Sequence, residues 1–365
     1  MVYTTYSDRI LKSFTAVVGQ ETGDFVGNTE KAIQAAIDYV NQKGGGTVII
    51  REGTYTINAS ISIPSNITIK GMGASTILKA KNSLNNDIIK NSDSVNGNSN
   101  INIKNLKIDG NKANQTSGNI IKLKKVTYSS LLNCQITNSK EHGIILEISD
   151  HNKIKECDLS NNGLDGTKIG GSYNIIEGNS ASGNDRGIGL SVAKYNNIIN
   201  NVVINNGANG GITMKTTSTY NRIIGNECSD YQATPTQTYG IFEGVASDDY
   251  NIIIGNTCKN NTTANYDIKG ANTVCIKDTG DLVNVNAGTK PISLEAESST
   301  RPLTNGMELY KVDGTNLSWN ELRADKATAE TASWKNSAFG HLAGINLKFD
   351  IWWYGILLTG DVKFE

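Results

Sequence analysis

Along most of the chain the apolar residues do not recur at a helical spacing; a short motif of Asn followed by apolar residues recurs instead. It reads Asn152-Lys-Ile-Lys-Glu-Cys157, Asn174-Ile-Ile-Glu-Gly-Asn179, Asn196-Asn-Ile-Ile-Asn-Asn201, Asn221-Arg-Ile-Ile-Gly-Asn226 and Asn251-Ile-Ile-Ile-Gly-Asn256. The starts lie 22, 22, 25 and 30 residues apart. Between them runs a second motif, a Gly followed by alternating apolar residues, at Gly143, Gly166, Gly187, Gly211 and Gly240. Several short strands and polar turns per unit of about 22 residues describe a β-solenoid, in which each unit stacks on the next at about 4.8 Å. Equivalent residues then form ladders. Cys157, Asn179, Asn201, Asn226 and Asn256 fall in one, where a buried amide can bond its own turn and the Asn above it. Leu159, Ala181, Val203, Cys228 and Cys258 fall in an apolar, inward one.

Helical spacing does occur near the start. Ala32, Ile33, Ala36, Ile37 and Val40 share one helical face, with Asn28 or Thr29 as N-cap, and Gly44-Gly45-Gly46 ends the segment before Thr47-Val-Ile-Ile50 opens what reads as the first strand. Such a helix covers the open apolar end of a solenoid. The organisation expected is an all-β chain with a right-handed parallel β-helix. Residues 1–44 form the N-terminal segment and capping helix, 45–285 the β-helix, 286–303 a linker and 304–365 a small tryptophan-rich C-terminal β unit.

The run Ala32-Ile-Gln-Ala-Ala-Ile-Asp-Tyr-Val-Asn-Gln-Lys-Gly-Gly-Gly-Thr-Val48 resembles the pectate-lyase-like right-handed parallel β-helix proteins, as do Gly53-Thr-Tyr55, Ile69-Lys-Gly-Met-Gly73 and Leu106-Lys-Ile-Asp-Gly-Asn-Lys-Ala-Asn114. Within that superfamily the chain is similar to the catalytic module of mannuronan epimerases, which act on alginate; Asn162-Gly-Leu-Asp-Gly166 and Asn184-Asp-Arg186 match it too. The resemblance spans roughly residues 20–285. It specifies the fold more than the reaction, because tailspikes, lyases, hydrolases and epimerases share these motifs. Where the epimerases carry a Tyr-Gly-Phe-Asp-Pro-His segment and a further Asp, this chain has His142-Gly-Ile-Ile-Leu-Glu147 and Gly170. The family's catalytic residues are therefore absent. The Leu-Arg-His-Gly segment of alginate lyases of this fold is replaced by Leu190-Ser-Val-Ala193.

The pleat supplies a reading of its own. If Ile144, Leu146, Ile188, Leu190, Ile212 and Met214 point inward, the same sheet presents Lys122, Lys124, Ile145, Glu147, Lys168, Gly170, Gly189, Ser191, Thr213, Lys215, Phe242 and Lys269 outward. His142, Asp165, Arg186 and Tyr239 come just before it on their turns. A cationic face edged by these residues suits a uronate polymer, since lysines pair its carboxylates and acidify the adjacent carbon. The alternative is a solvated sheet kept soluble by its lysines. In the first reading His142, Asp165, Lys168 and Arg186 form the catalytic group, with His142 as general base tuned by Asp165. Lys122, Lys124, Glu147, Lys215 and Tyr239 would then bind substrate. For His142 the competing role is a turn residue bonded to a neighbouring loop.

Composition narrows the classes. With 34 basic and 35 acidic side chains, the net charge of -1 argues against a partner bound through phosphates, so no nucleic acid is expected. No window approaches the ~18 uninterrupted apolar residues of a membrane-spanning helix. No His or carboxylate pair has a metal-ligand spacing, so no cofactor is expected and the sequence gives calcium no support. Five cysteines, Cys134, Cys157, Cys228, Cys258 and Cys275, include no Cys-x-x-Cys pair and read as small core residues. The N-terminus lacks a basic stretch followed by an apolar core, so no secretory signal is read there; an extracellular or virion-associated location is expected. Trp319, Trp334, Trp352 and Trp353 all fall in the last 47 residues. They read as a buried β core, a homotrimer interface or an aromatic sugar platform. Two function classes follow: a protein acting on or binding an acidic polysaccharide, lyase-like before epimerase or hydrolase, and a non-catalytic structural or receptor-binding β-helix such as a tailspike-like virion component.

Overall fold

The structure, a computed structural model, describes residues 14–277 and 282–283, together with the backbone of 346–353 and 356–363. The chain divides into two compact units, Met1–Asn284 and Val285–Glu365. In the second, strand Asn346–Trp353 pairs antiparallel with Ile356–Lys363. The tryptophan side chains singled out above lie outside the described residues.

The first unit is a right-handed parallel β-helix within a solenoid of about 10 turns, with one helix near its N-terminus. That helix is Glu30–Gln42; Thr29 caps it by accepting from the Lys31 N–H, and Ile33, Ala36, Ile37 and Val40 are buried against the first turns. The strand Gly46–Ile50 is not the first, as its position after the helix had implied. Phe14–Gly19 precedes the helix and pairs parallel with Gly46–Ile50. The Gly-rich break explains the junction: Gly44, Gly45 and Gly46 all take positive φ, and a Cβ on Gly45 would press on Asn66.

Each later turn contributes three faces. Ser130–Leu132, Lys153–Lys155, Ile175–Glu177, Asn197–Ile199, Arg222–Ile224 and Ile252–Asn256 belong to a fifteen-stranded sheet. A narrower face is built from Ser180–Ser182, Val202–Ile204 and single bridges that continue through Glu227 and Thr257. The third face is a nine-stranded sheet running from Ile61–Ile63 through Ile121–Lys124, Ile144–Glu147, Asp165–Gly170, Arg186–Ser191, Gly210–Lys215 and Tyr239–Glu243 to Ala264–Asp267. Its register aligns Ile121, Ile144, Thr167, Ile188, Ile212 and Ile241, all buried, so the opposite parity faces out.

Each corner closes with a left-handed residue followed by a buried amide. Asn200 has φ 54° and precedes Asn201; Gly225 has φ 67° and precedes Asn226. Asn201 Oδ1 accepts from the backbone N–H and the Nδ2 of Asn179, while its own Nδ2 donates to the Ile176 carbonyl and to Asn226 Oδ1. Asn152, Asn174, Asn196, Asn221 and Asn251 form a second such ladder, and Asn162, Asn184, Asn206, Gln237 and Asn261 a third. The ladders satisfy backbone groups that the corners leave without a strand partner. The third also explains the recurring Gly. A Cβ on Gly143 would lie 2.9 Å from the Asn162 amide nitrogen, and one on Gly166 3.0 Å from that of Asn184. All five cysteines are buried and none is in a disulfide among the described residues.

Candidate functional site

The outward parity of the nine-stranded sheet begins with Lys122, Ile145, Lys168, Gly189, Thr213, Phe242 and Asp267, one per strand in register. Seven strands span roughly 30 Å at the usual parallel spacing. Three groups of side chains divide this length.

The central group is built on Asp165, which opens the strand Asp165–Gly170 and is almost wholly buried (1% exposed). One turn on, Arg186 opens the strand Arg186–Ser191 in register with it. The guanidinium grips the carboxylate with both ends of its fork, Nε donating to Oδ1 at 2.7 Å and an Nη to Oδ2 at 3.0 Å, and another Nη donates to Thr213 Oγ1 at 3.2 Å. Gly189 makes the room: a Cβ there would stand 2.7 Å from Asp165 Oδ2 and 2.8 Å from Arg186 Nε. On the other side of Asp165, His142 Nδ1 accepts the Asp165 backbone N–H at 3.2 Å and lies 3.4 Å from Oδ2. Burial alone would raise the Asp165 pKa, but the His142 contact and the Arg186 charge outweigh it and hold the carboxyl below its ordinary value.

Four predicted residues therefore divide differently than expected. His142, Asp165 and Arg186 do meet, yet Asp165 lies beneath the surface and Arg186 spends two donors on it. Sequence reasoning placed Arg186 free to neutralise a substrate; bidentate pairing with a buried carboxylate is what a planar fork does best. His142 was to be a base, but its Nδ1 is held against Asp165, 3.2 Å from the backbone nitrogen and 3.4 Å from Oδ2, so that nitrogen is turned to the buried carboxylate rather than to a ligand. Lys168 projects outward as expected. Among the described residues no carboxylate lies within ion-pair distance of its ammonium.

Beside this group stands Lys215, whose Nζ donates to Asn209 Oδ1 at 3.4 Å; Asn209 in turn is anchored to Asp185 through its Nδ2, 2.6 Å from Oδ2. Burial, followed by the nearby Arg186 charge, pushes the Lys215 ammonium below its ordinary value. Neither Asn209 nor Asp185 was legible as part of the face, since both belong to turns. For Asn209 the available signal was the 25-residue spacing from Asn196 to Asn221, two of whose three extra residues fall between Asn206 and Gly210.

Toward the N-terminal end Lys124 and Lys122 close on Glu147 at 2.7 and 3.7 Å, and the Lys124 bond, more than the two positive charges, keeps that carboxyl below its usual range. These lysines are thus less free than the pleat implied. Toward the other end Tyr239 stacks on Phe242 at 4.4 Å between centroids, while the Lys269 ammonium lies 4.7 Å over the Phe242 ring and 3.8 Å from Asp267. Lys269 follows the last strand of the sheet rather than belonging to it, a correction to its assigned place. Most of the extra residues of the 30-residue spacing form a loop before Tyr239, folded around the buried Asp230, which accepts the Gln232, Thr236 and Gln237 N–H groups. Among the described residues no cluster of His, Cys, Asp and Glu is arranged to hold a metal, and no helix is long and apolar enough to cross a membrane.

A parallel β-helix with a charged outward face on one sheet is the class these observations define. The chain belongs to the rhamnogalacturonase A/epimerase, pectate lyase-like family, whose model matches residues 21–228. It is 29% identical over 222 residues to mannuronan C5-epimerase AlgE2 of Azotobacter vinelandii, a match that covers 54% of this chain and 22% of that enzyme. Among solved structures, ORF18 of Geobacillus virus E2 is similar over 68% of this chain and 58% of its own, with a TM-score of 0.50 and 18% identity. A tailspike protein mutant of E. coli bacteriophage HK620 is similar over 63% of this chain and 52% of its own, with a TM-score of 0.48 and 14% identity.

Proposed function

We propose that this protein binds an acidic, uronate-containing polysaccharide along the outward face of the nine-stranded sheet, outside the cell or on a virion. The observation that carries the reading is the unpaired Lys168 beside Arg186 and Lys215, three cations on consecutive strands over one buried carboxylate. Successive strands are spaced close to the advance of one sugar in an extended chain, so carboxylates of neighbouring residues can be met strand by strand. Lys122 and Lys124, freed from Glu147 by a competing carboxylate, extend the face one way. Tyr239 extends it the other.

A second reading, turnover by β-elimination, is favoured by Lys215, because an ammonium below its ordinary pKa supplies more of the neutral amine. The amine takes the proton from the carbon beside the carboxylate, the electron pair forms the carbon–carbon double bond, the glycosidic C–O bond breaks, and the leaving oxygen takes a proton from water. His142 and Asp165 position the Arg186 end of this group. Three copies assemble through residues 304–365 in this reading.

Affinity electrophoresis in gels cast with alginate or polygalacturonate tests the binding. Wild type is expected to be retarded at low ionic strength and released by added salt, because exposed charges are screened within about 8–10 Å. Lys168→Ala should lower retention several-fold. Free migration of wild type through both polymers at low salt ends the proposal. Ultraviolet absorbance from unsaturated chain ends separates turnover from binding, and Lys215→Ala should abolish that signal.

A further inference from the structure

Opposite in character to the cationic face is a column of rings at one corner of the solenoid. Tyr128, His151, Tyr173, Tyr195, Tyr220 and Tyr250 stack in sequence, with centroids 5.1, 5.0, 5.2, 5.1 and 5.0 Å apart and planes within 14° of parallel. Each immediately precedes the residue that caps its turn, Ser129 or one of the buried Asn152, Asn174, Asn196, Asn221 and Asn251. The five tyrosines remain 42–64% exposed.

Two features of this column go beyond packing. First, all six residues hold left-handed backbone, φ 52–59°, a region that disfavours bulky side chains. The equivalent positions at another corner are Glu156, Gly178, Asn200, Gly225 and Gly255, mostly the types that take this conformation at little cost. Bulky residues hold this conformation at a further corner too, Lys125, Ile148, Val192 and Thr216, but there the type changes from turn to turn, whereas an aromatic ring is kept at six successive turns here, which points to a use for the rings. Second, every ring carries a polar group at its edge, and none is Phe or Trp. Stacking needs no hydroxyl. Among the described residues no hydrogen bond engages the hydroxyls of Tyr128, Tyr173, Tyr195 or Tyr250, and no lysine, arginine or carboxylate belongs to the column.

We infer that the tyrosine column is a second binding surface, for a neutral polysaccharide lying along the solenoid axis with one sugar per turn. Because the rings turn their faces to one another, a ligand meets edges and hydroxyls. An apolar protein or lipid partner would bury those hydroxyls without partners, at a cost of about 1–3 kcal/mol each. A glycan supplies hydroxyls at a repeat close to the ring spacing, and the charges flanking the column are of both signs, Asp150, Lys194 and Asp249 just before their rings and Lys153 and Arg222 two residues after theirs, so they favour a neutral chain over a uronate one. This inference is independent of the acidic ligand proposed for the sheet.

The test uses the full chain in affinity gels cast with hydroxyethyl cellulose, glucomannan or soluble starch. Tyr173→Asn combined with Tyr195→Asn places at two corners the residue that already occupies the left-handed Asn200 and Asn205, so the fold is expected to persist, checked by circular dichroism and thermal melting. Tyr173→Phe combined with Tyr195→Phe keeps the stack and removes two hydroxyls. Wild type should be retarded by at least one of the three polymers, equally in low and high salt. The Asn pair should lose at least tenfold in affinity and the Phe pair severalfold, with both keeping wild-type retention in alginate. Free migration in all three neutral polymers, retention that salt abolishes, or unchanged retention of either double variant would overturn the inference.

Discussion

Asp165 shows how one side chain organises the charged face without reaching solvent. Its two oxygens are taken by Arg186, its backbone N–H by His142, and the space for the Asp165–Arg186 pair depends on Gly189 having no side chain. Removing one partner of such a pair leaves a buried charge uncompensated. Asp165→Asn is therefore expected to cost roughly 3 kcal/mol, the low end for a buried pair, because Arg186 keeps some contact with water. The pH dependence follows from the direction of the shift. A carboxyl held below its unfolded value contributes stability that is present above about pH 4 and is lost as pH falls through the folded value. Acid melts of wild type should thus lose stability on that limb, and the Asn variant should lose less. Equal acid slopes in the two proteins would mean that the pair does not stabilise the fold.

Among elements, the repeats were the most readable part of the sequence, because the same physical need recurs every turn. Asn179, Asn201, Asn226 and Asn256 are buried and bonded as their spacing required, and Gly143, Gly166, Gly187 and Gly211 mark where the third amide ladder presses on the nine-stranded sheet. The third ladder went unread because Gln237 and a loop of extra residues interrupt its spacing. The ring column was present in the alignment as the residue before each repeat Asn, yet a tyrosine there carries no turn signal of the kind Gly or Asn gives. The candidate site was legible as a face but not as a set of bonds. Outward parity identified Lys168, Thr213 and Lys215; it could not show that Arg186 folds back onto Asp165 or that Glu147 already holds two lysines. Asn201→Leu tests the ladder itself. Four groups that meet the Asn201 side chain, the Asn179 N–H and Nδ2, the Ile176 carbonyl and Asn226 Oδ1, would lose that bond. The expected loss is roughly 1–3 kcal/mol, read as a lower thermal midpoint with the β signal retained below it. An unchanged midpoint would show that the turn satisfies these groups in another way.

For the whole molecule, a solenoid in which each turn touches chiefly its neighbours has a stability that accumulates locally. The helix Glu30–Gln42 covers one end of the core, and the strand Val274–Lys277 pairs antiparallel with Leu282–Val283 at the other. The core of the first unit is thus assembled within Met1–Asn284. A chain ending at residue 284 is expected to fold, to keep the thermal midpoint of the full-length β-helix and to be retarded in alginate gels. The tryptophan-rich end enters through assembly. Four tryptophans in the last 47 residues of a chain that has none elsewhere place large apolar side chains outside the repeats. If these residues join three copies, the full chain sediments as a trimer and the shortened chain as a monomer, and retention of the full chain in alginate exceeds that of the shortened one through multivalency. Sedimentation velocity on both chains decides the matter: a monomeric full-length protein refutes the trimer, and a trimeric shortened chain moves the interface onto the β-helix.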